Sequence, residues 1–197
     1  MFARQSARMQ PSLVRFAPPQ SASSPWLRLD IFLFRCLGAG HGSPALLWAA
    51  RAVARWSWLP LLGLAVIAVR PLASGGWLLP LCLLGVGLVQ WIGKRLARRW
   101  SAQRPFALGL CANHLGHGGR AGFPSSHALA MGALLGGLLP FTGAGPLFMA
   151  MAALALATGW ARVHTGAHFP LDVLSGLALG GVCGLGYGLA LLPLLPH

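Results

Sequence analysis

Apolar segments make up most of this chain, and this limits the folds that are open to it. Residues 75–93 (GGWLLPLCLLGVGLVQWIG) form a nearly ideal span, because about 20 apolar residues in a helix cross the hydrocarbon core of a bilayer. Four further apolar segments occupy residues 26–50, 56–69, 127–161 and 171–195. A chain built this way is predicted to lie within a membrane.

The composition supports this prediction. Hydrophobic residues make up 56% of the 197 residues and charged residues only 9%, so too little polar surface is present to cover a soluble domain. The high apolar content also excludes a disordered chain. The acidic residues are Asp30 and Asp172 alone, and the net charge is +13. Anionic lipid headgroups or a phosphorylated substrate explain this charge better than a nucleic acid, because nucleic-acid-binding proteins carry their basic residues on a water-soluble frame.

The apolar segments predict an all-α, polytopic membrane helical bundle with five to six transmembrane helices over residues 26–197. Residues 1–25 are expected to form a disordered basic tail. The segment 127–161 breaks at residues 141–146, which predicts two antiparallel spans joined by a turn. Residues 26–50 are interrupted by polar residues and a proline, so they form either an interfacial helix with a turn or a sixth span; the sixth span is favoured.

Two polar segments, residues 94–126 and residues 162–170, interrupt the apolar pattern. Two spans separate these segments, so both are expected to emerge on the same side of the membrane. Recurring glycines in the last apolar segment favour close packing of that helix against a neighbour. The four cysteines are scattered and suggest neither a disulfide framework nor a zinc site.

The second polar segment contains a candidate nucleophile. Asp172 follows His168 by four residues, and Pro170 suits the first position of a helix. Asp172 would then accept a hydrogen bond from one ring nitrogen of His168 and leave the other nitrogen as a nucleophile. We expect Asp172 to raise the pKa of His168. His164 would allow a metal site together with His168, but Pro170 and Gly166 argue against the helix that this site needs.

The first polar segment predicts an anion site. A serine of the pair Ser125 and Ser126 is a good N-cap for the following helix, and free N–H groups at a helix start bind anions. His127 stands beside that site as a proton donor. Arg104 and Arg162 supply planar guanidinium groups that match phosphate oxygens. Together with the His–Asp pair, these residues suit phosphoryl transfer through a phosphohistidine.

Three motifs in these segments resemble those of the type 2 phosphatidic acid phosphatase (PAP2) superfamily. They are Arg104-Pro105, Pro124-Ser-Ser-His127 and Arg162-x5-His168-x3-Asp172. The third motif matches in full, whereas Ser126 replaces a glycine in the second. The first motif normally carries a lysine at the position of Ala97, so Lys94 or Arg98 is expected to reach the phosphate instead. The resemblance covers roughly residues 40–190.

The resemblance implies roles for these residues. His168 attacks phosphorus, His127 protonates the leaving oxygen and Asp172 orients His168. The implied phosphate ligands are Arg104, Arg162, Ser125 and Ser126. No metal or other cofactor is implied.

Within the superfamily, the motifs are most similar to those of bacterial undecaprenyl-diphosphate phosphatases. This implies a multi-pass protein of the bacterial inner membrane with its active site on the outer face, and a sixth span would reconcile that face with the positive-inside tendency. Phosphatidic acid, phosphatidylglycerol phosphate and lipid A phosphate are alternative substrates. An anion transporter is the non-enzymatic alternative. An intramembrane serine protease is disfavoured because neither Ser125 nor Ser126 lies in a Gly-x-Ser-x-Gly setting.

Overall fold

A computed structural model describes residues 24–100, 102–118 and 122–194. Within these ranges the regular structure is helical and no strand occurs, which confirms the all-α prediction. The α-helices are α1 (Pro25–Cys36), α2 (Pro44–Trp56), α3 (Trp58–Val69), α4 (Gly75–Trp100), α5 (Ser126–Thr142), α6 (Pro146–His164) and α7 (Pro170–Leu191). The predicted basic tail lies outside the described residues, apart from residues 24 and 25.

The helices include enough apolar length for a membrane bundle. Helices α4, α6 and α7 are each long and apolar enough to cross a membrane. Helices α2 and α3 pass the same test only as a pair, and they are bent by 48° at the break between them. Helix α5 is apolar but shorter, at 17 residues. The membrane helical bundle is therefore confirmed, with the predicted break in residues 127–161 between α5 and α6.

Residues 26–50 do not form one helix. Helix α1 has 12 residues, which corresponds to a rise of about 18 Å, well short of a hydrocarbon core of about 30 Å. A turn with Gly38 and Gly40 at φ 59° and 77° then leads into α2. Of the two alternatives for residues 26–50, the structure has the helix followed by a turn, and the favoured prediction of a sixth span is wrong.

Helices α5 and α7 pack through their backbones. A Cβ atom added at Gly180 would clash with the carbonyl oxygen of Leu129, and one at Gly184 would clash with that of Ala133. Larger side chains at these positions would push the two helices apart. The predicted close packing is confirmed for Gly176, Gly180, Gly184 and Gly188, whereas Gly181 and Gly186 face open space.

The two polar segments meet at one end of the bundle. The backbone N–H of Ser125 donates to the carbonyl oxygen of Asp172 at 3.0 Å, which joins the starts of α5 and α7. The Arg104 guanidinium donates to the carbonyl oxygen of Ala167 at 2.8 Å. The prediction that both segments share one side is confirmed. Helix α1 lies at the same end, because the Asp30 carboxylate accepts from the backbone N–H of Leu171 at 2.9 Å.

Candidate active site

His168 lies in the short connection between α6 and α7 and is 1% exposed. Its Nδ1 atom is 2.8 Å from the carbonyl oxygen of Gly122. Because a carbonyl can only accept, Nδ1 carries the proton of the neutral ring and Nε2 keeps its lone pair. The ring is thus held in the tautomer that allows attack through Nε2.

The carboxylate of Asp172 lies near this ring but is not its closest acceptor. Asp172 Oδ2 is 3.7 Å from His168 Nδ1 and accepts from the backbone N–H of Phe169 at 2.8 Å. His168 therefore donates its hydrogen bond to the carbonyl oxygen of Gly122, and not to the carboxylate of Asp172 as expected. Sequence reasoning missed Gly122, since a backbone carbonyl leaves no signal in the residue type.

The surroundings of His168 favour its neutral form. Burial, together with the Arg104 and Arg162 guanidinium groups, holds the pKa of His168 well below its usual range. The expected raised pKa is therefore wrong: desolvation and the two cations lower it, and the group that raises it is the carbonyl of Gly122 and not Asp172. A neutral imidazole is the form that can act as a nucleophile.

Cations surround the Nε2 side of His168. Arg104 Nη1 is 3.4 Å from Nε2. A cavity of about 220 Å³ lies beside the ring, and its polar lining comes from Lys94, Arg98, Arg104, Ser126 and His168. Ala97 lines the same cavity. A lysine at position 97 would point into the cavity that Lys94 and Arg98 border. This supports the prediction that Lys94 or Arg98 takes the place of the lysine of the first motif.

Arg162 is 4% exposed and lies in the last turn of α6. Its guanidinium donates to the carbonyl oxygen of Ala54 at 3.5 Å and contacts His117 Nε2 at 3.1 Å. Its Nε–H has no hydrogen-bond partner among the described residues. In that part of the chain no carboxylate pairs with Arg162, so the geometry leaves this buried cation available to an anion.

The start of α5 contributes two further predicted residues. Ser125 occupies the N-cap position, as predicted, but its side chain does not bond to the helix. Its Oγ atom is buried and has no hydrogen-bond partner among the described residues. His127 lies in the first turn of α5 and lines a second cavity of about 300 Å³. The rest of that lining is apolar apart from Gln90, and it comes from α3, α4 and α5.

The structure thus brings the predicted site residues together at one end of the bundle, where several of them border one of two separate cavities. Lys94, Arg98, Arg104, Ser126 and His168 border the smaller cavity, and His127 borders the apolar one. Within the described residues, no cluster of three or more His, Cys, Asp or Glu side chains has the geometry of a metal site. His164 stacks on Trp160, with ring centroids 5.2 Å apart.

The fold and this site define a membrane helical bundle with a group of basic side chains and histidines at one end. The sequence model of the PAP2 superfamily matches residues 75–191, more than half of the chain, and the chain belongs to that superfamily. A comparison with curated protein sequences found no significant match.

Two crystal structures share the fold. LpxE from Aquifex aeolicus superposes with a TM-score of 0.64 at 20% identity, covering 82% of this chain and 95% of that one. The first transmembrane PAP2-type phosphatidylglycerolphosphate phosphatase from Bacillus subtilis gives a TM-score of 0.63 at 22% identity, covering 86% and 88%. At these identities the similarity is one of fold.

Proposed function

We propose that this protein is a lipid-phosphate phosphatase that hydrolyses undecaprenyl diphosphate to the monophosphate through a phosphohistidine. The observation that carries the proposal is the state of His168: a buried, neutral ring with its lone pair at Nε2, beside a cavity lined by cations. Membership of the PAP2 superfamily supports the same chemistry.

In the proposed first step, His168 Nε2 bonds to the terminal phosphorus while the bond from phosphorus to the bridging oxygen breaks. His127 donates its proton to that oxygen, and Arg104, Arg162 and Ser125 hold the charged oxygens. In the second step, water attacks the phosphohistidine, its proton passes to His127, and the bond between Nε2 and phosphorus breaks. The products are inorganic phosphate and the lipid monophosphate.

The second cavity supports a lipid substrate. It joins His127 to the apolar side chains of α3, α4 and α5, including Leu83, Val86 and Leu134. A prenyl or acyl chain lying there would bring the leaving oxygen of the substrate to His127. Phosphatidylglycerol phosphate is the second candidate substrate, because the structural neighbour from Bacillus subtilis is a phosphatase for that lipid.

The test is phosphate release by the purified protein in detergent from undecaprenyl diphosphate, phosphatidylglycerol phosphate and phosphatidic acid. We expect the wild type to prefer undecaprenyl diphosphate, and vanadate to inhibit it. His168→Ala should abolish turnover and the acid-labile phosphoenzyme while leaving the thermal melt intact. Turnover by folded His168→Ala contradicts the phosphohistidine, and a wild type that releases no phosphate favours the anion transporter.

We also propose, from the family resemblance, that the protein lies in the bacterial inner membrane with the site on the outer face; residues 26–50 do not supply the sixth span that would reconcile this face with the positive-inside tendency. Helix α1 shares the face of the site, so Cys36, which is exposed on α1, reports its side. In a variant that keeps Cys36 and has its other cysteines replaced, an impermeant thiol reagent should label intact cells. Labelling only after lysis would place the site on the inner face.

A further inference from the structure

The connection between α4 and α5 brings an additional histidine, His117, into the site. His117 Nε2 is 3.1 Å from the Arg162 guanidinium. A guanidinium only donates, so Nε2 is the acceptor and the proton of the neutral ring lies on Nδ1. His117 therefore adds a donor to the group of cations around Arg162.

A local clamp holds His117 in this position. The side-chain amide of Asn113 donates to the carbonyl oxygen of His117 at 2.9 Å, and its oxygen accepts from the backbone N–H of His117 at 3.1 Å. Asn113 thus fixes both backbone groups of His117. Such a two-sided clamp restricts the backbone of the loop at the residue that reaches Arg162.

His117 lies in a strongly positive environment. Burial and the nearby Arg162, Arg104 and Arg55 lower the pKa of His117 to about 4. Among the described residues, no carboxylate forms an ion pair with His117, Arg162 or Arg55. A negatively charged ligand at this point would lie near Arg162, and the Nδ1–H of His117 is the donor that the ring has left to offer it.

His117 and Arg162 lie near the proposed proton donor to the leaving oxygen. Both act electrostatically on His127, as do Lys94 and Arg104. Neither His117 nor Arg162 lines the cavity beside His168, which is bordered by Lys94, Arg98 and Arg104. The leaving group of a lipid monophosphate is a neutral alcohol. That of a lipid diphosphate is itself a phosphate and carries negative charge.

We infer that His117, together with Arg55, binds the phosphate that leaves with the lipid and so selects diphosphates over monophosphates. The inference rests on the proposed function, because it takes His168 as the nucleophile and His127 as the acid. It adds a specificity residue from the loop, outside the three motifs.

The experiment compares two substrates with the same chain, farnesyl diphosphate and farnesyl monophosphate, by steady-state phosphate release in detergent. His117→Ala should lower the ratio of kcat/KM for the diphosphate to that for the monophosphate by about tenfold, the usual effect of losing one charge-assisted hydrogen bond. Arg55→Ala should shift the ratio in the same direction. His117→Gln retains a donor and should restore part of the ratio. His114→Ala, in the same loop, is the matched control and should leave the ratio unchanged.

The outcomes separate the two proposals. If the wild type is active and His168→Ala is not, but His117→Ala lowers both substrates equally, the diphosphate subsite is wrong and the proposed function stands. If the wild type releases phosphate neither from these substrates nor from undecaprenyl diphosphate, both proposals are wrong. Thermal melts identify a variant that fails to fold. If His117→Ala fails to fold, the ratio of kcat/KM values is measured on Arg55→Ala, which changes an exposed side chain and should fold. An unchanged ratio in Arg55→Ala overturns the subsite.

Discussion

Basic residues on successive turns of α4 allow the predicted phosphate contact to be located with a matched set of variants. Lys94 and Arg98 border the cavity beside His168, as does Ala97. The Arg95 guanidinium instead lies 4.4 Å from the centre of the Trp91 ring. Lys94→Ala and Arg98→Ala therefore remove a positive charge from the cavity wall, whereas Arg95→Ala removes one from elsewhere on the same helix.

The size of the cavity sets the expected effect. A sphere with the cavity volume of about 220 Å³ has a radius of about 4 Å, so a lining cation lies about that far from a central phosphate. At this distance the gross attraction between unit charges is about 4 kcal/mol at an effective dielectric constant of about 20. Desolvation reduces it to about 1.5–3 kcal/mol for one charge-assisted contact, which corresponds to about tenfold to a hundredfold in rate.

The assay is kcat/KM for phosphate release from the preferred lipid phosphate. We expect Lys94→Ala or Arg98→Ala to lose at least about tenfold, while Arg95→Ala stays at the wild-type value. Adding Ala97→Lys to the affected variant should restore activity, because the new ammonium enters the same cavity. The reasoning is refuted if Arg95→Ala loses as much as the others. If neither cavity variant loses activity, Arg104 alone supplies the charge of the first motif.

Four further predictions test other parts of the structure. His127→Ala should lose most activity on lipid substrates but less on an activated aryl phosphate, whose leaving group needs no proton; equal losses in kcat would exclude His127 as the acid. Gly180→Ala should lower the melting temperature, since its Cβ would clash with the carbonyl oxygen of Leu129, whereas Gly181→Ala faces open space and should not. Asp30→Ala should reduce the free energy of unfolding by about 1 kcal/mol, and Asp30→Asn, which keeps the acceptor, by less. Because its pKa is held well below 6.5, His168 stays in its attacking form as the pH falls through that value, so the limb of the kcat/KM profile that reports its protonation should lie below pH 6.5; a limb at or above 6.5 would contradict this.

Local signals made most of the fold predictable. Apolar length marked the spans, and Pro146 and Pro170 each start a helix at the position where a missing N–H carries no cost. Counting spans placed the two polar segments on one side, and the contact between Ser125 and Asp172 confirms it. These inferences needed only the residue types and the length of a helix.

Other features depend on neighbours that the sequence does not reveal. The partner of His168 Nδ1 is the carbonyl of Gly122, and every residue has such a carbonyl. The direction of the pKa shift of His168 depends on its burial and on the nearby Arg104 and Arg162 guanidinium groups, which only the folded chain brings together. His117 lies in a glycine-rich stretch, and its contact with Arg162 arises only when the loop folds against α6.

The small number of acidic residues in this chain is related to the absence of a counter-ion for Arg162 among the described residues. Asp30 and Asp172, the acids of this chain, both accept hydrogen bonds from backbone N–H groups at the start of α7. Neither forms an ion pair with Arg162, which is buried on α6. Burying a guanidinium without a counter-ion costs free energy during folding, and in the proposed reaction an entering phosphate would recover that cost by acting as the counter-ion. A glutamate placed within reach of Arg162 would stabilise the empty site and compete with the substrate for the same donors.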